Sequence, residues 1–290
     1  MRDGLVGSEM CIRDRSATSL NDLSDVLTED NSVYIGNIPP NTDSAGRNVA
    51  VGITALGAIT TGDYNTALGH DALRLNTTGS YNSALGWRAL YSNTTGENNV
   101  ALGHDALYYN KGAQNTAIGN DALLWNKQAH GNTGVGYRAL LYSETGDGNT
   151  ALGWRAGDGI TSGSNNTIIG YDADPSIWNA SNQIVIGKGA TGQGDNYAVI
   201  GNADVTRVYA AQDAGATLYA GGLNIGGTAV SSTAAELNLL DGGTSVGSSI
   251  TVANADGIII NDGGTMKTIP ASDFISYLQS ATSINDLTDA

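Results

Sequence analysis

The chain has 290 residues, of which 40 are glycine, 1 is phenylalanine and 14% are charged. Such a composition supplies too few large side chains for the core of an ordinary globular enzyme. The 28 Asn and 23 Asp against 5 Glu favour turns and short strands over helices. A formal net charge of −15 argues against binding to nucleic-acid phosphates. The apolar runs are shorter than the ~18 residues of a spanning helix, so no membrane insertion is expected.

The first fifteen residues, MRDGLVGSEMCIRDR, differ in composition from the rest of the chain and contain its only cysteine, Cys11. With one cysteine, no internal disulfide can form. Residues 1–15 resemble a translated sequencing-adapter peptide and are left out of the reasoning about the fold. Residues 16–30 are then expected to be a linker.

A repeat governs residues 31–204. Its glycines recur at a step of 17 that is broken once by 16: Gly52, Gly69, Gly86, Gly103, Gly119, Gly136, Gly153, Gly170 and Gly187. Asparagines keep the same phase from Asn48 to Asn166, and their side chains are expected to cap turns. Propeller blades and helical repeats need about 33 to 50 residues, whereas 17 suit one coil of a β-solenoid. The sequence therefore predicts an all-β parallel β-roll of about nine coils, stacked at about 4.8 Å.

Each coil is predicted to contain two short strands, as at 66–69 and 72–75, and a turn, as at 76–79. Neighbouring residues such as Ala67 and Leu68 are both apolar, although successive strand residues point to opposite faces. One face therefore fills the coil, and the other requires a partner chain, because a continuous apolar stripe would aggregate. We expect a homo-oligomer, most simply a trimer of parallel rods.

The remaining residues change character. Residues 233–236 form a capping box that begins a short helix ending at Gly242, and a second helix is expected at 271–279. Residues 249–252 and 257–261 are expected to be strands. The segment 205–279 is thus predicted to be a small α+β connector or trimerisation region.

Residues 280–290 repeat residues 16–26 at eight of eleven positions. The repetition predicts one module of a longer chain, truncated inside a second copy of its opening segment. A duplicated linker without structural meaning is the alternative.

The motif NTALGHDAL…NTTG resembles the left-handed β-roll in the heads of trimeric autotransporter adhesins, and more closely its variant in bacteriophage tail fibres. The likeness covers about residues 31–202, and residues 222–278 are similar to segments of phage fibre and structural proteins. Neither the membrane anchor that ends an autotransporter nor the self-cleaving chaperone domain that ends many phage fibres is recognisable, which truncation would explain.

The resemblance implies a virion tail-fibre module for host-cell attachment. Its partners would be two further copies of itself, other tail or fibre proteins, and a glycan or protein receptor on the bacterial surface. The alternative is an adhesin head on a bacterial cell surface.

Two columns follow the repeat glycines. The first, called the aromatic column, consists of His70, Trp87, His104, Tyr137, Trp154 and Tyr171, interrupted by Asn120. These rings are candidates for stacking on sugars of a bacterial glycan; the alternative is that they stabilise the rod or its subunit contacts. The second, called the charge column, consists of Asp71, Arg88, Asp105, Asp121, Arg138, Arg155 and Asp172. Four of its six neighbouring pairs have opposite signs, which predicts ion pairs between coils on an exposed face.

The sequence gives little support for a metal site or for enzymatic activity. His70 and His104 lie two coils apart, about 10 Å, which is too far for one ion unless symmetry mates meet across a three-fold axis. The carboxylates of Asp105 and Asp121 have a spacing compatible with a glycosidase, yet they belong to the charge column. The string at 187–192 fits a dinucleotide fingerprint without the helix that should follow, and Ser245 has no histidine after it. We expect no cofactor and no enzymatic activity.

A hydroxyl column suggests a further alternative, an ice-binding solenoid. Its members are Thr66, Ser83, Val100, Thr116, Thr133, Thr150 and Thr167. Ice-binding surfaces usually carry paired threonine columns, whereas the flanking positions here are Asn or Ala.

Overall fold

A computed structural model describes residues 26–36, 39–40, 42–208, 223–225, 228–230, 257–262, 265–273 and 276. The chain divides into two compact units, Met1–Val208 and Tyr209–Ala290. Within the described residues, no helix is long and apolar enough to cross a membrane.

The first unit is a parallel β-solenoid of about 10 turns. Its 12-stranded sheet runs in sequence order through β1 (Val26–Glu29), β2 (Ser32–Ile35), β3 (Val49–Val51), β4 (Thr66–Leu68), β5 (Ser83–Leu85), β6 (Val100–Leu102), β7 (Thr116–Ile118), β8 (Thr133–Val135), β9 (Thr150–Leu152), β10 (Thr167–Ile169), β11 (Ile184–Ile186) and β12 (Ala198–Ile200). Strands β2 to β12 pair in parallel, whereas β1 pairs with β2 in antiparallel. The predicted β-solenoid is therefore confirmed, and β1 lies inside the segment expected to be a linker.

Each coil contains one strand instead of the predicted two. Residues 72–75 form turns, because Asp71 has a φ of 60° and Leu73 a φ of 49°, both in the left-handed region. The turn still bonds the next coil, since the Leu73 N–H donates to the Ala89 carbonyl at 3.0 Å. Hydrogen bonding between coils thus extends beyond the strands and stabilises a backbone conformation that a leucine seldom adopts alone.

The repeat glycines lie where each strand ends and the turns begin. Gly103 has a φ of 138°, and a Cβ added there would overlap the carbonyl oxygen of Gly119 on the next coil. The same overlap recurs at Gly86 and Gly119. A side chain at this position would push neighbouring coils apart, which explains the phase of the glycine repeat.

The core consists of columns of alanine and leucine side chains inside the coils. Ala67, Ala72 and Leu73 are fully buried, and the equivalent residues of neighbouring coils are buried as well. Leu68 lies on the outside and is 45% exposed. Alternation therefore holds along the strand, but Ala72 and Leu73 both fill the coil interior, because the left-handed turn directs both side chains inward.

The second unit contains two described hairpins. Strand β13 (Leu223–Ile225) pairs with β14 (Thr228–Val230), and β15 (Gly257–Asp262) pairs with β16 (Thr265–Pro270). The predicted strand at 257–261 is thus present, and its partner β16 was not foreseen. Residues 271–273 and 276 are helical, within the predicted second helix. The predictions for 1–15, 233–242, 249–252 and 280–290 lie outside the described residues.

Candidate functional surfaces

A column of buried asparagines connects the coils and positions every outward side chain. Asn99, fully buried, donates from its side chain to the Gly112 carbonyl at 3.0 Å, and its Oδ1 accepts from the Asn115 N–H at 3.0 Å. The column runs from Asn48 to Asn166 and ends at Gln183, whose N–H donates to Asn166 Oδ1 at 2.9 Å. Turn capping was expected of these residues; they also bond one coil to the next, because a buried amide has to satisfy both its donor and its acceptor.

The outward side chains of the strands form a continuous surface, called the strand face. It consists of the hydroxyl column and an apolar column made of Leu68, Leu85, Leu102, Ile118, Val135, Leu152 and Ile169. Leu85 and Leu102 are 44% and 41% exposed, and no member of either column is charged. The hydroxyl column is therefore paired with leucine and isoleucine, which does not match the paired threonines expected of an ice-binding surface.

The aromatic column forms two stacks of rings. Trp87 packs on His104 with centroids 4.5 Å apart, and Trp154 lies between Tyr137 at 6.1 Å and Tyr171 at 4.6 Å. Both faces of Trp154 are therefore directed at neighbouring rings. This stacking favours the alternative that the column stabilises the coil stack.

A guanidinium also lies over the other tryptophan of the aromatic column, with the Arg88 carbon 4.7 Å from the Trp87 centroid. His70 contacts Asp71 at 3.1 Å. Sugar binding by the aromatic column stays a prediction, with ring edges and the ends of the stacks as its available surfaces.

The charge column forms ion pairs between coils. Arg88 lies 3.0 Å from Asp105, Arg138 lies 3.3 Å from Asp121, and Arg155 lies 3.4 Å from Asp172. Asp71 instead contacts Arg74 of its own coil at 3.2 Å. Asp71 and Asp105 are less exposed than predicted, at 7% and 8%. Burial raises the pKa of Asp105 against the opposing influence of His104 and Arg88.

One group of side chains has the spacing of metal ligands. Among the described residues, His104, Asp105 and Asp121 each offer a ligand atom within 4.8 Å of the others. Arg88 and Arg138 already hold the two carboxylates. A cation would have to compete with both guanidinium groups, so this cluster is better described as part of the charge column.

An acidic cluster lies near the end of the solenoid. Arg155 binds Asp158 at 2.6 Å, while the Asp174 carboxylate accepts a hydrogen bond from the Gly159 N–H at 3.3 Å. Burial raises the pKa of Asp174 to about 6, and the nearby Asp158 and Asp172 act in the same direction. Among the described residues, Arg155 is the cation that opposes this shift, and Asp174 is therefore a group that takes up a proton in mildly acidic conditions.

A further surface lies on the turn side of the coils. The turn side consists of the residues that follow each repeat glycine and precede the buried asparagine before the next strand. The rings of Tyr109 and Trp125 stack with centroids 4.2 Å apart beside a cavity of about 560 Å³, called the Trp125 groove. The groove is lined by Leu75, Ser92, Thr94, Tyr109, Lys111, Trp125, Lys127 and Gln128. The sequence reasoning missed it; the signal was an aromatic residue followed two positions later by lysine in two successive coils.

The chain matches no protein-family model, and no curated protein is significantly similar to it.

Proposed function

We propose that the chain is a structural and adhesive module of a phage tail fibre, a virion component that takes part in attachment to a bacterial host. The observation that carries the proposal is the regular stacking of coils on a satisfied polar interior, which holds outward side chains at fixed spacing over the whole solenoid. The repeat resembles those of fibre and adhesin heads. A role in binding, without catalysis, suits the charge column, whose ionic groups form pairs with one another.

The strand face supports a homotrimeric assembly. Each coil from β4 to β10 offers a similar uncharged outward pair, such as Thr66 with Leu68, so a parallel copy presents similar side chains at the same spacing. The face carries no charge although the chain has a formal net charge of −15, and the cores of protein interfaces are depleted of charge in the same way. Cyclic symmetry about an axis along the rods would bury the stripe from every chain at once.

Assembly would also set the strength of attachment. Three parallel chains present three equivalent copies of any surface on their turn sides. Linked contacts bind with an effective concentration set by the spacing of the sites, so weak individual contacts sum to useful avidity. Other fibre proteins would join the ends of such a rod.

A double variant tests the assembly. Leu85→Asp with Leu102→Asp places six negative charges on two neighbouring coil levels of a trimer. The double variant is expected to convert the trimer to monomers, because the carboxylates would lose water and repel one another. Thr60→Asp with Thr77→Asp, on the turn side, adds the same charge to each chain and should leave the mass unchanged. Dissociation by both variants, or by neither, would contradict a strand-face interface.

Labelling tests the biological role. Antibodies against the purified chain are expected to bind the tail appendages of phage particles from the source sample, as seen by gold-labelled electron microscopy. Labelling confined to bacterial outer surfaces would instead assign the chain to an adhesin head, which shares the repeat resemblance. Labelling of neither would contradict both roles.

A further inference from the structure

The Trp125 groove arises from a change of side-chain size along one column. Backbone hydrogen bonds from Leu75 to Tyr91, from Ser92 to Tyr108 and from Tyr109 to Leu124 set the register. Leu75, Ser92, Tyr109 and Trp125 are therefore neighbours in successive coils. The small Ser92 lies between two larger side chains, so the column is interrupted for one coil.

The gap has the dimensions of a bound ring. Leu75 and Tyr109 are two coils apart, which corresponds to about 10 Å along the solenoid at a strand spacing near 4.8 Å. Ligand pockets commonly measure about 300 to 1,000 Å³, and the 560 Å³ of this groove falls in that range. Tyr109 is 36% exposed and Trp125 is half-buried, so both rings are anchored and still reach the groove.

The lysines at the groove favour an anionic ligand. Two of the 4 lysines of the chain, Lys111 and Lys127, line it, in a molecule with a net charge of −15. Lys127 pairs with Glu144 at 2.8 Å. Lys111 forms no ion pair with any described residue, so its ammonium group is available to a ligand.

We propose that the Trp125 groove binds one carboxylated sugar ring of an acidic surface polysaccharide. The apolar face of the ring would pack against Leu75 and Tyr109, and its carboxylate would pair with Lys111. The hydroxyl groups of Ser92 and Thr94 and the amide of Gln128 line the same cavity and suit the sugar hydroxyls. This inference rests on the proposed attachment function and names the class of receptor.

A pyranose carboxylate fits better than a neutral sugar or an apolar peptide. A neutral ring would form no ion pair with the exposed Lys111, and an apolar segment would make no hydrogen bonds with the hydroxyl and amide groups at the groove. The site differs from the aromatic column, where neighbouring groups cover both faces of Trp154.

Titration of the full chain with acidic oligosaccharides tests the proposal. The probes are oligogalacturonate, oligoguluronate and oligosialate, each with its methyl ester as the neutral control, measured by calorimetry. At least one acid form is expected to bind at least tenfold more tightly than its ester at low salt. Absence of binding by all of them, or equal affinity for acids and esters, would overturn the proposal.

Two variants locate the binding at the groove. Lys111→Gln is expected to weaken binding of the acid at least fivefold and to remove the preference over the ester, whereas Lys188→Gln removes an equal charge elsewhere and should have no effect. Trp125→Ala should weaken both forms, while Trp178→Ala, at a tryptophan that is 59% exposed, should not. Equal effects of a variant and its control would contradict the assignment.

A substitution that fills the groove tests the proposal without removing a side chain on which the fold depends. Ser92→Tyr would extend the stack of Tyr109 and Trp125 into the gap and is expected to abolish binding without lowering the thermal midpoint. Undiminished binding by a folded Ser92→Tyr protein would overturn the proposal. If virion tails are labelled by antibodies and no acidic probe binds, the attachment function stands and only the receptor class fails.

Discussion

From β4 to β8, the strand face repeats nearly the same outward pair in every coil, whereas the column through Trp125 reads Leu75, Ser92, Tyr109, Trp125 and Tyr142 over the same length. The same hydrogen-bonded framework supports both surfaces, but only the strand face is uniform. Uniform positions suit contacts with a second copy of the chain, which repeats at the same spacing. Varied positions suit a ligand that does not repeat, so the comparison separates self-association from recognition.

The comparison predicts the largest loss of stability at the junction of strand and turns. Gly103→Ala is expected to lower the free energy of unfolding by about 3 kcal/mol or more, because the new Cβ overlaps the next coil and strains the backbone. Gly189→Ala is the matched control, since a Cβ there meets nothing within 4 Å at a φ of 58°. Its cost should be about 1 kcal/mol. Denaturant unfolding measures both, and equal losses would contradict the packing account.

The buried asparagines come next. Asn99→Ala is expected to cost about 2 to 4 kcal/mol, since the Asn115 N–H would lose its buried acceptor and the Gly112 carbonyl would keep only the hydrogen bond from Asn110. Asn120→Ala, at an exposed asparagine on the turn side, should change stability by less than about 0.5 kcal/mol. Thermal and denaturant unfolding of the two variants provide the comparison. A similar small effect at both sites would mean that the interior does not depend on the asparagine column.

Stability should depend on pH through Asp174, on the turn side. The pKa of this carboxyl is about 6 in the folded chain, above the ordinary value of 3.8. Between these values the folded state binds the proton more tightly than the unfolded state, so this group's contribution to stability falls as pH rises from about 4 to about 7. Asp174→Asn is expected to stabilise the chain at pH 8 by on the order of 1 kcal/mol, after allowance for solvent screening. The difference should shrink toward pH 4; a constant difference would contradict the assignment.

The charge column should contribute least. Arg138→Gln removes an ion pair with Asp121 at 3.3 Å, where the arginine side chain is 43% exposed. The expected loss is a few tenths of a kcal/mol, and it should decrease as salt is added. Unfolding at low and high ionic strength measures it. A loss of unfolding free energy above about 2 kcal/mol would mean that the fold depends on the charge column, and would contradict this ranking.

The sequence was sufficient to predict the parallel solenoid and the coil boundaries, because Gly103 and its equivalents recur in phase and coil stacking requires that recurrence. The single strand in each coil was not predictable, since Leu73 takes a left-handed conformation only when the neighbouring coil bonds its N–H. The burial of Asn99 was missed for a similar reason: an asparagine that caps a turn and one that connects coils have the same pattern.

The Trp125 groove was missed because its column does not repeat. A search for periodic signals finds Trp87 and Trp154, which follow the repeat glycines, and passes over a gap made by the single small residue Ser92. Features that repeat reveal the framework. Features that interrupt the repeat become visible only when the register of the coils is known.

The mass of the protein in solution tests the central claim that the uniform strand face joins copies of the chain. Sedimentation equilibrium at micromolar concentration is expected to give three times the chain mass of 29.7 kDa. The Leu85→Asp and Leu102→Asp double variant is expected to give the single-chain mass. A wild-type protein that remains a monomer at these concentrations would contradict the account.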